Sequence, residues 1–238
     1  MLGFVRRMRG RRSYRIWVGL AATRACAYQW WRDVSREASY QGWHTLKVQS
    51  SIRWGIVLFI TTEVIFFLSF FWAYLNRRLA GGLESGFVWP PRGITGFNPI
   101  GVPLLNTGVL LRSGVSVTWA HHALVEKEIR EALIGLALTI YLGFLFTALQ
   151  VYEYRSRRFT LSDSVYGSVF FVATGFHGLH VTIGAIALIV GIRRVWMGHL
   201  SSRHHVGLEA TIWYWHFVDV VWVTLFVLIY WWGRLSYV

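Results

Sequence analysis

Long apolar runs separated by short polar segments dominate this chain. Five strong runs cover residues 54–75, 102–122, 132–152, 165–192 and 209–232, and a weaker run, interrupted by an arginine, covers 16–31. A helix needs about 20 mainly apolar residues to cross a bilayer, and all five strong runs are long enough. Backbone amides in hydrocarbon must be satisfied internally, which helices achieve. The pattern therefore predicts an all-α, polytopic transmembrane helix bundle with five strong spans and one weak N-terminal span.

The placement of the prolines supports unbroken helices. All four prolines fall between residues 88 and 104, and proline breaks a helix because it lacks an amide donor and clashes with the preceding turn. No internal repeat or long linker divides the sequence. We therefore expect a single transmembrane helical domain over residues 16–238, preceded by a basic N-terminal arm over residues 1–15.

The basic balance of the chain is consistent with a membrane protein. The 238 residues include 24 Lys and Arg against 11 Asp and Glu, and 55% are hydrophobic. Most of the basic residues flank the apolar runs, as loops that face anionic head groups do, so we expect no nucleic-acid partner. Cys26 is the single cysteine, which excludes a disulfide framework and a cysteine-ligated metal cluster. The acid-free first 15 residues fit either a targeting segment or a basic arm beside the membrane.

A carboxyl group lies about midway along the first strong run. Glu63 sits within the sequence LFITTEVIFF at residues 58–67. Ionisable groups inside hydrocarbon are costly and rare, and they usually have a function or a partner. Two interpretations stay open. Glu63 is either a proton-handling or gating carboxyl, or a neutral carboxyl hydrogen-bonded to a neighbouring helix, with Thr61 and Thr62 as local partners.

The fourth strong run carries two histidines on one helical face. His177 and His180 are three residues apart, a spacing that places them side by side on a helix. Gly175, Gly178 and Gly184 in the same run would allow a neighbouring helix to approach closely. The pattern favours an interhelical hydrogen-bond seam, with a proton path as the alternative.

The last strong run carries a second polar stripe. Glu209, His216 and Asp219 recur at helical spacing. An Asp–His pair satisfies both groups without water, so we expect this stripe also to form a polar helix seam.

The nine histidines raise a metal hypothesis. The adjacent pairs at 121–122 and 204–205 and the pair at 177 and 180 superficially resemble the histidine boxes of membrane di-iron desaturases. The HxxHH form of those boxes is absent from the sequence, as is the Glu-x-x-His pattern of carboxylate di-iron bundles. We therefore expect no metal ligand and no catalytic residue in this chain. The adjacent pairs lie at span ends, where interfacial hydrogen bonding explains them.

A charged and aromatic segment follows the weak run. Arg36, Glu37 and His44 are close in sequence to Trp31. Arginine offers a planar fork suited to phosphate, and tryptophan is favoured at head-group depth. A bound phospholipid and ordinary anchoring at the interface both fit this segment.

Eight sequence blocks together carry a family resemblance. They are YQWWRDV (28–34), LFITTEVIFF (58–67), WPP (89–91), VPLLNT (102–107), TWAHH (118–122), DSVYGS (163–168), FFVATGFHGLH (170–180) and WYWHFVDVVW (213–222). In this order the blocks resemble subunit III of the haem–copper cytochrome c oxidases, specifically the mitochondrial type. Any one block is weakly specific, whereas eight in family order are very specific.

The resemblance implies a non-redox membrane subunit of the mitochondrial inner-membrane complex that reduces dioxygen to water and pumps protons. It implies that haem and copper are held by partner subunits and not by this chain. Subunit I is the main implied partner, with subunit II and accessory subunits beside it. Family members hold phospholipids in a cleft between two helix groups and sustain proton uptake by subunit I. Glu63 matches the intramembrane carboxyl near that cleft, and the lipid head-group positions match Trp31, Arg36, Glu37, His44 and Arg194.

The chain departs from the family at its N-terminus. Family members usually have seven spans, two of which precede the Trp-Trp-Arg-Asp block, whereas 29 residues precede Trp30 here. Either the chain is shortened, or a separate polypeptide supplies the first family helix. Two other functions stay open, a stand-alone histidine-rich membrane di-iron enzyme and subunit III of a quinol oxidase.

Overall fold

The computed structural model of the chain describes residues 14–80, 88–91, 93–94, 96, 98–156 and 159–234. Within these ranges all regular structure is helical, which confirms the all-α prediction for the residues described. The described residues form six α-helices: α1 (Tyr14–Ser39), α2 (Leu46–Ala80), α3 (Val102–Val125), α4 (Ile129–Arg155), α5 (Val165–Trp196) and α6 (Val206–Leu225). A π-helical turn at Phe226–Trp231 and a 3-10 turn at Trp232–Arg234 follow α6. Of the expected basic arm, residues 1–13 lie outside the described residues.

The chain divides into two compact units, Met1–Ser51 and Ile52–Val238. In the first unit, α1 contains the weak run 16–31 but buries none of its residues. Arg24 interrupts the apolar side chains of α1, and α1 is not among the helices that are long and apolar enough to cross a membrane.

In the part of the chain that the structure describes, four helical segments are long and apolar enough to span a bilayer: α2, α4, α5 and Val206–Trp231. They correspond to four of the five strong runs. The fifth run forms α3 but does not meet the same criterion, because Asn106, Arg112 and His121 add polar side chains to its apolar ones. The predicted count of five strong spans plus one weak span is therefore not matched.

In the second unit, α3 to α6 pack as a ring in which α3 contacts both α4 and α6, and α5 contacts both α4 and α6. The connection between α3 and α4 is tight because Lys127 has a φ of 69°. The amide of Glu128 donates to the Ala123 carbonyl at 2.8 Å, and the amide of Lys127 donates to the Leu124 carbonyl at 3.2 Å. These two bonds satisfy the last carbonyls of α3 in a Schellman motif. The motif makes α3 and α4 an antiparallel hairpin.

Trp215 of α6 lies at the centre of this ring. Its side chain is fully buried, and Nε1 donates to Ser113 Oγ of α3 at 2.9 Å. Gly143 of α4 and Gly184 of α5 face the indole, and a methyl group at these positions would lie 2.7 Å and 2.8 Å from an indole carbon. All four helices therefore meet at one side chain, and two glycines provide the space for it.

α2 packs against α5 and α6 through aromatic side chains. The ring centroids of Phe66 and Phe176 lie 5.0 Å apart, and those of Phe67 and Phe217 lie 6.2 Å apart. Such edge-to-face and tilted pairs add to the apolar area that they bury. α2 therefore forms one wall of the bundle, and its remaining surface faces outwards.

Replacing Gly184 with Ala should destabilise the bundle by about 1–3 kcal/mol, because the added methyl group overpacks the buried indole. Thermal unfolding of the purified protein complex, followed by fluorescence or calorimetry, measures the shift.

Gly175→Ala on the same helix is the matched control. A methyl group there meets no atom within 4 Å, so the control keeps the gain in helix propensity without the collision. Equal unfolding temperatures for the two variants would contradict the proposed packing around Trp215.

Candidate functional site

The intramembrane carboxyl and one of the two histidines form a direct pair. Oε2 of Glu63 lies 2.8 Å from Nε2 of His180 and joins α2 to α5. The Glu63 side chain keeps 22% of its exposure and the His180 side chain 10%. The partner of Glu63 is therefore a residue of a neighbouring helix.

The hydrogen bonds of His180 determine how many protons the pair holds. Its Nδ1 lies 2.6 Å from the carbonyl oxygen of Phe176. A carbonyl oxygen can only accept, so Nδ1 carries a proton. Nε2 then either accepts a proton from a neutral carboxyl or donates one to a carboxylate. In both cases one proton lies between the imidazole and Glu63.

Aromatic rings surround the pair. The ring centroid of His180 lies 5.2 Å from that of Phe67, and 6.2 Å from those of Tyr214 and Phe217. These rings belong to α2 and α6, so three helices enclose the imidazole. An electrostatic interaction in such an apolar setting is stronger than it would be in water.

The expected local partners of Glu63 are engaged elsewhere. Thr61 Oγ1 donates to the Val57 carbonyl at 2.8 Å, and Thr62 Oγ1 donates to the Phe59 carbonyl at 2.7 Å. Both hydroxyls thus bind carbonyls of their own helix, a usual outcome for threonine within a helix. The expectation that Thr61 and Thr62 are partners of Glu63 is therefore wrong.

His177 contacts a different helix from His180. Its Nε2 donates to the carbonyl of Val218 in α6 at 3.1 Å, and its ring packs against Phe146 and Trp222 with centroids 5.5 Å and 5.2 Å away. Although the two histidines lie on one face of α5, His177 binds α6 and His180 binds α2. Of the glycines expected to allow close approach, Gly184 meets Trp215, whereas Gly175 and Gly178 meet no described atom within 4 Å.

The stripe on α6 divides between two neighbouring helices. At its beginning, Glu209 Oε2 accepts from Nε of Arg53 on α2 at 3.0 Å and lies 3.0 Å from Nη2. Further along, Nδ1 of His216 lies 3.7 Å from Oδ2 of Asp219. Nε2 of His216 lies 3.2 Å from Oγ1 of Thr118 on α3. Glu209 therefore faces α2, while His216 and Asp219 face α3.

Asp219 is buried against the backbone of α3. A methyl group at Gly114 would lie 2.5 Å from Oδ2 of Asp219, and Oδ1 has no hydrogen-bond partner among the described residues. The carboxyl group therefore occupies the space that a side chain at residue 114 would need. Because Gly114 on α3 has no side chain, the Asp219 carboxyl group on α6 has room at this contact.

The adjacent histidine pairs contact each other at one end of the bundle. Nε2 of His121 lies 3.2 Å from Nε2 of His205, whose Nδ1 donates to the Ser201 carbonyl at 2.9 Å. This contact agrees with the expected hydrogen bonding at span ends. Within the described ranges, no group of three His, Cys, Asp or Glu is arranged to hold a metal ion.

The head-group residues are divided between the two units. Trp31, Arg36 and Glu37 lie in α1 and His44 lies in the turn that follows it, all within the unit Met1–Ser51. Trp31 is exposed. Arg194 lies in the last turn of α5, and its Nη1 is 3.1 Å from where a methyl group at Gly207 would be.

A buried polar network near the C-terminal end of α4 was not predicted from the sequence. Tyr230 Oη donates to Oε2 of Glu153 at 3.3 Å, and Gln150 Nε2 donates to Tyr230 Oη at 3.4 Å. Asn106 Nδ2 of α3 donates to Oε1 of Gln150 at 3.3 Å. The three-residue spacing of Gln150 and Glu153, which places both on one face of a helix, is the signal that could have revealed it.

Comparisons with known proteins agree on one family. A sequence profile of cytochrome c oxidase subunit III matches residues 2–234. The chain is 56% identical over 216 residues to cytochrome c oxidase subunit 3 of Locusta migratoria, covering 91% of this chain and 82% of that protein. It is 57% identical over 218 residues to the protein of the same name from Latimeria chalumnae, covering 92% and 84%. The protein of that name from Carassius auratus is 58% identical over 216 residues, covering 91% and 83%.

Replacing Gly114 with Ala should lower the yield of assembled complex, because the new methyl group collides with the Asp219 carboxyl group. In an Asp219→Ala background the same change should cost much less, since residues in contact are energetically coupled, by roughly 0.5–3 kcal/mol. Native electrophoresis of the four proteins in a double-mutant cycle measures the coupling.

Gly108→Ala on the same helix is the control, because a methyl group there meets no atom within 4 Å. Additive effects of Gly114→Ala and Asp219→Ala would contradict the contact.

Proposed function

Because the chain belongs to the cytochrome c oxidase subunit III family, it is a non-catalytic subunit of that oxidoreductase, and we propose that it sustains proton uptake by the catalytic subunit I. The observation that carries this proposal is the Glu63–His180 pair. It holds one proton at a depth where ionisable groups are rare, between two helices and among aromatic rings. Such a pair can take up or release a proton by a small change of position.

We further propose that this chain contacts subunit I and subunit II, with accessory subunits beside them, in the mitochondrial inner membrane. Membership of the family supports a multisubunit complex, and the four helices able to span a bilayer support a multi-pass membrane position. In this arrangement haem and copper belong to the partner subunits. A separate chain that supplies the first family helix stays a prediction from the sequence.

We also propose that the chain holds phospholipid through a group of residues in each of the two units. At the first, the exposed Trp31 supplies an interfacial ring while Arg36 binds the phosphate, with Glu37 and His44 nearby in the sequence. At the second, Arg194 ends α5 with its guanidinium beside the first turn of α6. Arginine suits both places because its planar fork binds phosphate through two hydrogen bonds.

The two other functions that the sequence left open are not favoured by the comparisons. The relatives are cytochrome c oxidase subunits, which argues against a quinol oxidase. A stand-alone di-iron enzyme would hold about two irons per chain, since its centre needs both metals. Metal analysis of the isolated chain would identify such an enzyme directly.

Glu63→Gln tests the role of the shared proton. The amide is nearly isosteric and can still donate to Nε2 of His180, so the complex should assemble in normal yield. Because an amide does not release its proton, the variant should lose activity severalfold faster during continuous turnover. The oxygen-consumption half-time and the infrared band of a protonated carboxyl report the two effects.

Thr182→Val is the control, since Thr182 is two residues from His180 in the sequence and its hydroxyl donates to the Gly178 carbonyl of its own helix at 2.9 Å. A Glu63→Gln complex with the half-time of the wild type would show that the pair fastens helices and does not handle protons.

Arg36→Gln tests the first lipid place. Loss of a charge-assisted hydrogen bond, worth roughly 1.5–3 kcal/mol, should weaken phospholipid retention about 10- to 100-fold. Lipid mass spectrometry of the washed complex measures the retained phospholipid. Arg24→Gln, at another exposed arginine of α1, should keep normal phospholipid retention. Equal phospholipid retention in both variants would show that Arg36 is an ordinary interfacial anchor.

A further inference from the structure

An unpaired arginine lies on the outer face of α3. Arg112 is exposed, and its guanidinium forms no hydrogen bond or ion pair with any of the residues that the structure describes. On a soluble protein this would be an ordinary solvated side chain. In a membrane bundle, the depth of Arg112 in the bilayer determines whether its guanidinium can reach water or a head group.

The contacts of the α3–α4 hairpin place Arg112 near the middle of the bundle. Along this antiparallel pair, Asn106 binds Gln150 and Ser116 lies 2.8 Å from Thr139. The residue of α4 level with Arg112 is therefore Gly143, which touches Trp215 at the centre of the ring. Because α4 is long and apolar enough to cross the membrane, this level lies deep in the hydrocarbon.

At this depth the guanidinium cannot reach a phospholipid head group. Arg112 is ten residues from the start of α3, which has 24 residues, so it lies roughly 15 Å along the helix from that end. That distance exceeds the reach of one side chain. An arginine left unpaired at the centre of a bilayer is energetically costly. The face that carries Arg112 must therefore be covered.

The surroundings of Arg112 fit another helix. Gly108 lies one turn away on the same face, and a methyl group there would meet no atom within 4 Å. Val115, one turn to the other side, is 72% exposed. A glycine between apolar side chains allows the backbone of a second helix to approach closely. The face defined by Gly108, Arg112 and Val115 therefore combines a close-approach position with an unpaired cation.

We infer that this face docks a transmembrane helix of another subunit of the complex, and that this helix carries an Asp or Glu at mid-membrane depth. Charge complementarity identifies the occupant. A carboxylate satisfies the guanidinium through two parallel hydrogen bonds, which neither a lipid tail nor an apolar helix can do. The inference goes beyond the proposed function and does not depend on the Glu63–His180 pair.

A second copy of this chain is a poor occupant. At this depth its own acids are engaged, since Glu63 binds His180 and Asp219 is buried against Gly114. Glu63 could not pair with Arg112 of another copy without leaving His180 unpaired, which is costly, and Asp219 is only 6% exposed.

The first test is photo-crosslinking in the intact complex. A benzoylphenylalanine at Val115 should crosslink to a transmembrane segment of another subunit, within about one helical turn of an Asp or Glu. The same probe at Ile186, an exposed residue of α5, is the control for non-specific labelling and should give a different pattern. Crosslinks to lipid alone, to a segment without an acid, or to a second copy of this chain would overturn the inference.

The second test is a charge reversal in two steps. Arg112→Glu should lower the recovery of this chain with the complex by about tenfold or more, because like charges at an interface cost several kcal/mol. Changing the crosslinked Asp or Glu to Arg in the same complex should restore recovery. The second change can restore recovery only if the two side chains are in contact. Failure to restore recovery, or normal recovery of Arg112→Glu alone, would therefore overturn the inference. Arg130→Glu, at the exposed start of α4, is the matched control and should assemble normally.

Discussion

Hydrocarbon offers no hydrogen-bond partner, and this constraint explains the arrangement of the polar groups of the bundle. Each ionisable side chain within the spans needs a partner from another helix or from its own. Glu63 binds His180, Glu209 binds Arg53, and Asp219 packs against the glycine that faces it. These contacts join α2 to α5, α2 to α6, and α3 to α6. The polar side chains thereby determine which helices are neighbours, while the apolar ones fill the space between them.

The helices could be predicted from the sequence, but the count of spans could not. Apolar length and the clustering of prolines were sufficient for the four segments able to cross a membrane. α3 was overestimated because its polar residues are distributed among apolar ones, so the run looks continuous. Five of its polar residues, namely Asn106, Thr107, Ser113, Ser116 and Thr118, form hydrogen bonds with α4 or α6. This is a tertiary effect that no window of local sequence contains. The central position of Trp215 was equally hidden, since Gly143 and Gly184 are distant from it in sequence.

The residues of the candidate site could be predicted from the sequence, but the contacts between them could not. Glu63 and His180 were both singled out, yet 117 residues separate them, and a single sequence does not show which helices are neighbours. Local spacing suggested Thr61 and Thr62 because they are adjacent, whereas their hydroxyls bind carbonyls of the preceding turn. The His216–Asp219 contact was predictable because it lies within one helix. The network of Glu153, Gln150 and Tyr230 was missed because Glu153 lies just beyond the end of an apolar run.

The tight turn between α3 and α4 has a consequence for how the protein enters the membrane. α3 is too polar to leave water for lipid by itself, since a lone helix would expose Arg112, Asn106 and Ser116 to the acyl chains. Joined through the Schellman motif at Lys127, it can be inserted together with α4, which shields Ser116 and Asn106 as the pair enters. Residues 102–155 would then be inserted into the membrane as one unit, in which the apolar α4 makes the insertion of the more polar α3 favourable.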